Sequence, residues 1–160
     1  MKAFPVANQI LWYANREKSD ISPLKLQKML YFLHGWYLAI TGTELIEEPF
    51  MRWQYGPVLP SVYAALRGYG AQPINDYIKE YDPSTGTWLP YFVNTNVVPQ
   101  FEQVLNRVWR EYGHFSALQL SSMTHEENTP WNRTGVNDAI SNVLIRDYFT
   151  EQAQQRPAYY

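Results

Sequence analysis

The apolar positions of this chain fall into runs with a helical period separated by short punctuated stretches, and the longest run sets the plan. Between Ser22 and Gly42, Leu26, Met29, Leu30, Leu33, Trp36, Tyr37 and Ile40 recur at the 3.6-residue period. Leu24, Tyr31, Phe32, Leu38 and Ala39 cover most of the opposite side. A helix that is apolar nearly all round belongs in a protein interior. Ser22 can accept a first-turn amide proton, Pro23 suits the first helical position and Gly42 can take the left-handed turn that ends a helix. A buried central helix is therefore predicted over about 22–41. It is not a membrane span, because Lys25, Gln27, Lys28 and His34 interrupt the run of about 20 apolar residues that crossing requires. Gln27 and His34 lie on one narrow strip. Lys25 and Lys28 stand near the helix N-terminus, where the macrodipole disfavours positive charge. They are expected to be solvated, with His34 a core histidine bonded to a neighbour.

Around this helix the pattern predicts shorter elements. Val6, Ile10, Tyr13 and Ala14 follow Pro5 at helical spacing and give a first helix to about Arg16. Leu45 to Trp53 has no period and reads as a loop with an extended piece, closed by the turn signals of residues 54–60. Pro60 opens a short helix, Ser61 to about Arg67, with Val62, Ala65, Leu66 and Tyr69 inward. The β-prone segments Tyr77 to Tyr81 and Thr87 to Val93 flank an Asp-Pro-Ser-Thr-Gly turn, which predicts a hairpin within about 74–93. Pro90 confines its strand to an edge or a bulge. Phe101, Val104, Leu105, Val108 and Tyr112 form the clearest amphipathic stripe, stopped by Gly113. Ser116 caps a helix to about Met123, and Thr129 with Pro130 repeats the cap-plus-proline signal. Val136, Ile140, Val143, Leu144 and Tyr148 mark a last helix from near Asn137. Beyond Thr150 there is little to bury, so residues 151–160 are expected to be a frayed or partner-bound tail. The expected fold class is mainly α: a compact single-domain helical bundle, residues 1–150, around the central helix, with a small β-hairpin insertion.

Composition narrows the picture. The chain is 46% hydrophobic and 16% aromatic against 18% charged, which excludes a disordered protein. Its 13 Tyr and 6 Trp are residues over-used in small cores and at protein interfaces. The absence of cysteine removes disulfides, thiolate nucleophiles and thiolate metal sites, and fits a reducing compartment. The first residues have no uninterrupted apolar core of a secretory signal, so cytoplasm is the expected location. A net charge of -2 with scattered arginines gives no stripe to track phosphates, so neither nucleic acid nor membrane is an expected partner.

The search for reaction chemistry finds no constellation. His34, His114 and His125 form no His-x-x-x-His pair, and His125-Glu126 has Thr129 where a zinc-protease helix needs its second ligand. Gly68-Tyr69-Gly70 lacks the spacing and the preceding strand of a dinucleotide loop, and no Gly-Lys-Ser/Thr is present. Glu47-Glu48 and Glu126-Glu127 are adjacent acids that point apart on any regular element. No catalytic residue, metal ligand or cofactor is expected.

Three stretches carry a resemblance. They are Leu26 to Gly35, Phe50 to Tyr63 with its Trp53-Gln54-Tyr55-Gly56-Pro57-Val58, and Leu120 to Trp131 with Thr124-His125 followed by Pro130-Trp131. In order and spacing they resemble the Panacea domain, also called the SocA-like antitoxin domain, over about Ala3 to Phe149. The resemblance implies a mainly helical domain, non-enzymatic, that neutralises a cognate protein toxin by binding it. It also implies, for some members, service as an adaptor to a protease such as a Clp-type machine, and occurrence in phages and prophages. Two contrasting readings are a phage or prophage accessory protein that binds a host factor, and an enzyme with an unrecognised site near His125. The oligomeric state is not readable.

Two expectations concern the surface. Trp53, Tyr55, Gly56, Pro57, Val58, Thr124, His125, Pro130 and Trp131 are read as scaffold. Trp53 and Tyr55 anchor a tight path to the core, and Thr124 and His125 hydrogen-bond the turn before Trp131. The partner face is expected on the hairpin, because Tyr77, Tyr81, Trp88 and Tyr91 crowd strands too short to bury them all. Lys28 and His34 are the second candidate face.

Overall fold

The computed structural model describes residues 1–156. The central helix forms as α2 (Pro23–Thr41): the Ser22 hydroxyl accepts from the Lys25 amide at 3.3 Å, and Gly42 ends the helix at φ 73°. Every residue from Leu26 to Leu38 is buried. Helices α1 (Ala3–Arg16), α3 (Pro60–Leu66), α4 (Phe101–Tyr112), α5 (Ala117–His125) and α6 (Asn142–Gln155) all pack on it. Helix α6 approaches closest at Gly35, where the Phe149 ring occupies the space a side chain would take. Around that point Phe32 stacks on Tyr112 at 4.1 Å, Tyr31 meets Phe50 and Phe149 edge-on, and the Trp36 indole donates to the Tyr112 hydroxyl at 2.9 Å. Much of the aromatic excess is therefore core. Among the described residues no helix is long and apolar enough to cross a membrane.

The predicted stripe of α4 is buried as expected, and α5 carries a full capping box between Ser116 and Gln119. The predicted hairpin is β3 (Lys79–Asp82) with β4 (Thr87–Pro90), Pro90 at its end. A second hairpin forms where the pattern predicts loop and turn: β1 (Met51–Trp53) pairs with β2 (Gly56–Val58) across Gln54-Tyr55. Its strands are three residues long, too short to show a period.

Three expectations are corrected. The last helix starts at Asn142, not near Asn137. Residues 138–140 run along β1 instead after a left-handed turn at Asn137, with Arg52 donating to Asp138, Asn137 to Arg52 and Ile140 to Phe50. The helical spacing of Val136 and Val143 misled because both are exposed. That helix also continues past Thr150 to Gln155, since Ala153 is buried and Arg156 pairs with Glu111. The rest of the expected tail, residues 157–160, lies outside the described residues. Ala65 faces solvent, because α3 turns only its Val62 and Leu66 inward.

Candidate functional site

The β3–β4 hairpin is tied to the helical body by one buried polar side chain, beside the buried Ile78 and Val93 that flank it. Asn8, in the middle of α1, accepts from the Ile78 amide at 2.8 Å and donates to the carbonyls of Ile78 and Tyr91, both at 2.9 Å. These bonds clamp the two ends of the hairpin to the helical body. Tyr77 is half-buried, edge-on to Phe92 at 4.9 Å and bonded to Asn15. The remaining rings point outward: Tyr81 and Trp88 are cross-strand partners with centroids 5.7 Å apart, exposed by 54% and 64%, and Tyr91 is 39% exposed. Glu80 pairs with Lys2 and Asp82 is held in the turn by Ser84; both alternate with Tyr81 along β3 and so project from the opposite face of the hairpin.

The motif residues gather behind the other hairpin. Lys28 is fully buried, and its amine donates to the Pro57 carbonyl at 2.9 Å. Burial pushes that amine down to about 7. Gly56 sits at φ 111°, where an added Cβ would lie 2.6 Å from the Thr124 hydroxyl and 2.9 Å from Lys28 Cε. Next to it the Trp131 indole donates to Trp53 O at 2.7 Å, and Arg52 lies 4.0 Å over the Trp131 ring with its Nε on Trp131 O. Pro57, Val58 and Pro130 are buried.

Several assigned roles change. Lys28 is not solvated, and neither Lys28 nor His34 forms a face, because both are fully buried with internal partners. A helix apolar on all sides left Lys28 no route to water, and the Pro57 carbonyl accepts its hydrogen bond. Lys25 is half-buried and donates to the Gly113 carbonyl at 2.6 Å. His34 is the bonded core histidine that was expected. Ile46 N donates to its Nδ1, so Nε2 carries the proton and donates to Asn142 at 2.9 Å. Burial lowers its pKa.

Tyr55 is not an anchor: at the tip of its turn it is 58% exposed. The Thr124 hydroxyl donates to Ser121 O rather than to the turn before Trp131, and that turn is tied instead by Thr129 donating to Thr124 O at 2.7 Å. The His125 ring bonds the Gln54 backbone and packs on Trp131 at 4.0 Å, while its Nε2 is buried without a partner among the described residues.

Sequence reasoning missed Asn8 and Arg52. Asn8 carried a legible signal, an amide at an inward position of an apolar helix, which burial obliges to find partners. Arg52 had none, since its partner Trp131 is 79 residues away.

Comparison with known proteins adds two findings. The family model described as antitoxin SocA-like, Panacea domain, matches residues 26–132, the span holding most of α2, both hairpins and α5. The protein named antitoxin SocA from Caulobacter vibrioides (strain NA1000 / CB15N) is 32% identical over 155 residues, covering 92% of this chain and 81% of its own length. No solved structure matches the chain.

Proposed function

The chain belongs to the SocA-like Panacea antitoxin family, and from that premise we propose that it is the antitoxin of a toxin-antitoxin pair, neutralising a protein toxin by direct binding through the β3–β4 hairpin. The observation that carries the location is the cross-strand pair Tyr81 and Trp88, more than half exposed on an element that Asn8 holds rigid at its base. Large rings with few rotatable bonds on a fixed support lose little entropy on binding and are favoured interface anchors. Exposed indole and phenol rings suit guanidinium groups of a toxin surface, which can cover them.

The test is co-expression of the neighbouring reading frame with and without this chain. Growth arrest relieved by the chain supports the antitoxin role. Replacing Tyr81 and Trp88 by alanine should weaken toxin binding by about 1,000-fold, two hot-spot residues' worth, with the melting temperature and circular dichroism spectrum unchanged. Full neutralisation by that variant would move the interface off the hairpin.

A further inference from the structure

On another side of the molecule the N-terminal part of α2, the β1–β2 hairpin and α3 enclose a groove of about 510 Å³, which shares no lining residue with the β3–β4 hairpin. That volume lies in the range of ligand-sized sites. The floor is built from packed apolar groups, with Val58, Val62 and Leu66 themselves buried. The wall is aromatic: Trp53 meets Tyr63 edge-on at 5.2 Å, and Tyr55 and Tyr63 are exposed by 58% and 49%. This wall is held in place from behind, since Trp131 bonds Trp53 O and Lys28 bonds Pro57 O.

Polar chemistry in the groove is sparse and asymmetric. Gln27 reaches its lining, but both ends of its amide are committed to the Leu59 backbone, at 2.9 and 3.0 Å. Arg67 is the one charged residue that lines it, and it forms no ion pair among the described residues. Arg67 is exposed, so it offers its positive charge to an occupant, and a cationic one would be repelled. A carboxylate beside an apolar group satisfies both halves of the site, by a paired charge-assisted bond and by buried area.

We propose that this groove docks an acidic peptide segment of a partner protein, seating one large apolar side chain against Trp53, Tyr55 and Tyr63 and a carboxylate on Arg67. The site is independent of the hairpin, so it stands or falls apart from toxin capture there. The probe is the blocked peptide acetyl-Glu-Leu-Phe-Glu-amide, titrated into isotope-labelled full chain and followed by NMR, beside the analogue with glutamine for both glutamates. The expected result is saturable movement of the Trp53 indole and Gly70 amide signals, with the acidic peptide bound at least about five-fold tighter than the neutral one. Arg67→Gln should abolish that preference, and Tyr63→Ala should weaken both peptides without altering the melting temperature. The proposal is overturned by no saturable shift at about 5 mM peptide, by equal affinity for the two peptides, or by shifts confined to residues 79–90. Self-association of the chain that Tyr63→Ala abolishes would also overturn it, assigning the groove to a second copy.

Discussion

Lys28 places an amine where its charge is costly. Its folded pKa, about 7, lies below the ordinary 10.5 of an unfolded lysine. Between those values the unfolded chain binds the extra proton, so stability should rise with pH by up to about 1.4 kcal/mol per pH unit. Below about pH 7 both states are protonated and this contribution is flat. Tyr31 and Tyr112, raised by burial, act oppositely above about pH 10, and Lys25, lowered by burial, adds to the rise, so the Lys28 contribution is read at pH 7 to 9.5 as the difference from a variant that lacks the amine. Lys28→Met keeps the volume and removes the charge. It forgoes a hydrogen bond worth about 1–3 kcal/mol but avoids a burial cost on the order of 4 kcal/mol at pH 7. Urea unfolding should find the variant more stable at pH 7 and with a shallower slope to pH 9.5; an unchanged slope would mean that the Lys28 amine is not what titrates. Gly56→Ala acts beside it in the opposite sense. A side chain at φ 111° against Thr124 and Lys28 should cost about 2–5 kcal/mol, read in the same titration.

At the level of elements, the β3–β4 hairpin is an example of a unit that cannot stand alone. Two strands of four residues are marginal in water, and the two hydrogen-bonded ends at Ile78 and Tyr91 depend on Asn8. Asn8→Ala leaves a buried amide and carbonyl unpaired, at about 1–3 kcal/mol each. The amides of residues 79–90 should exchange at least about tenfold faster, while those of α2 keep their relative protection. Uniform loss across the chain would show instead that Asn8 supports the whole core. The capped helices need no such external post, because Ser22, Ser116 and Ser141 satisfy their first-turn amides from within.

For the whole molecule, α2 is the surface on which α1, α3, α4, α5 and α6 all pack, so the protein should unfold as one unit. Leu30→Ala or Leu33→Ala, both fully buried, should cost about 2–5 kcal/mol through lost contact and a residual cavity. Circular dichroism and tryptophan fluorescence should then report one shared transition. A loss under about half a kcal/mol at both sites, or transitions that separate, would place α2 outside the common core.

Whatever depends on neighbours in the chain was legible in the residues: the 22–41 helix with its Ser22 and Gly42 ends, the α4 stripe, the Ser116 cap, and a hairpin around the Asp82 to Gly86 turn. Period and capping are local, and a periodic run of 12 or more residues outweighs competing signals. The family motif was equally legible as a string. What the motif does was not, because its work is done across the fold: Lys28 under Pro57, Gly56 against Thr124, Trp131 on Trp53. Tertiary structure alone decided that residues 138–140 lie along β1 rather than open a helix, since β1 supplies backbone partners the helical pattern could not foresee. It alone decided which aromatics are core, such as Phe149 over Gly35, and which stand exposed, such as Trp88. Composition counts rings. Burial depends on which face of an element meets the helix at the centre, and that is settled only when the elements pack.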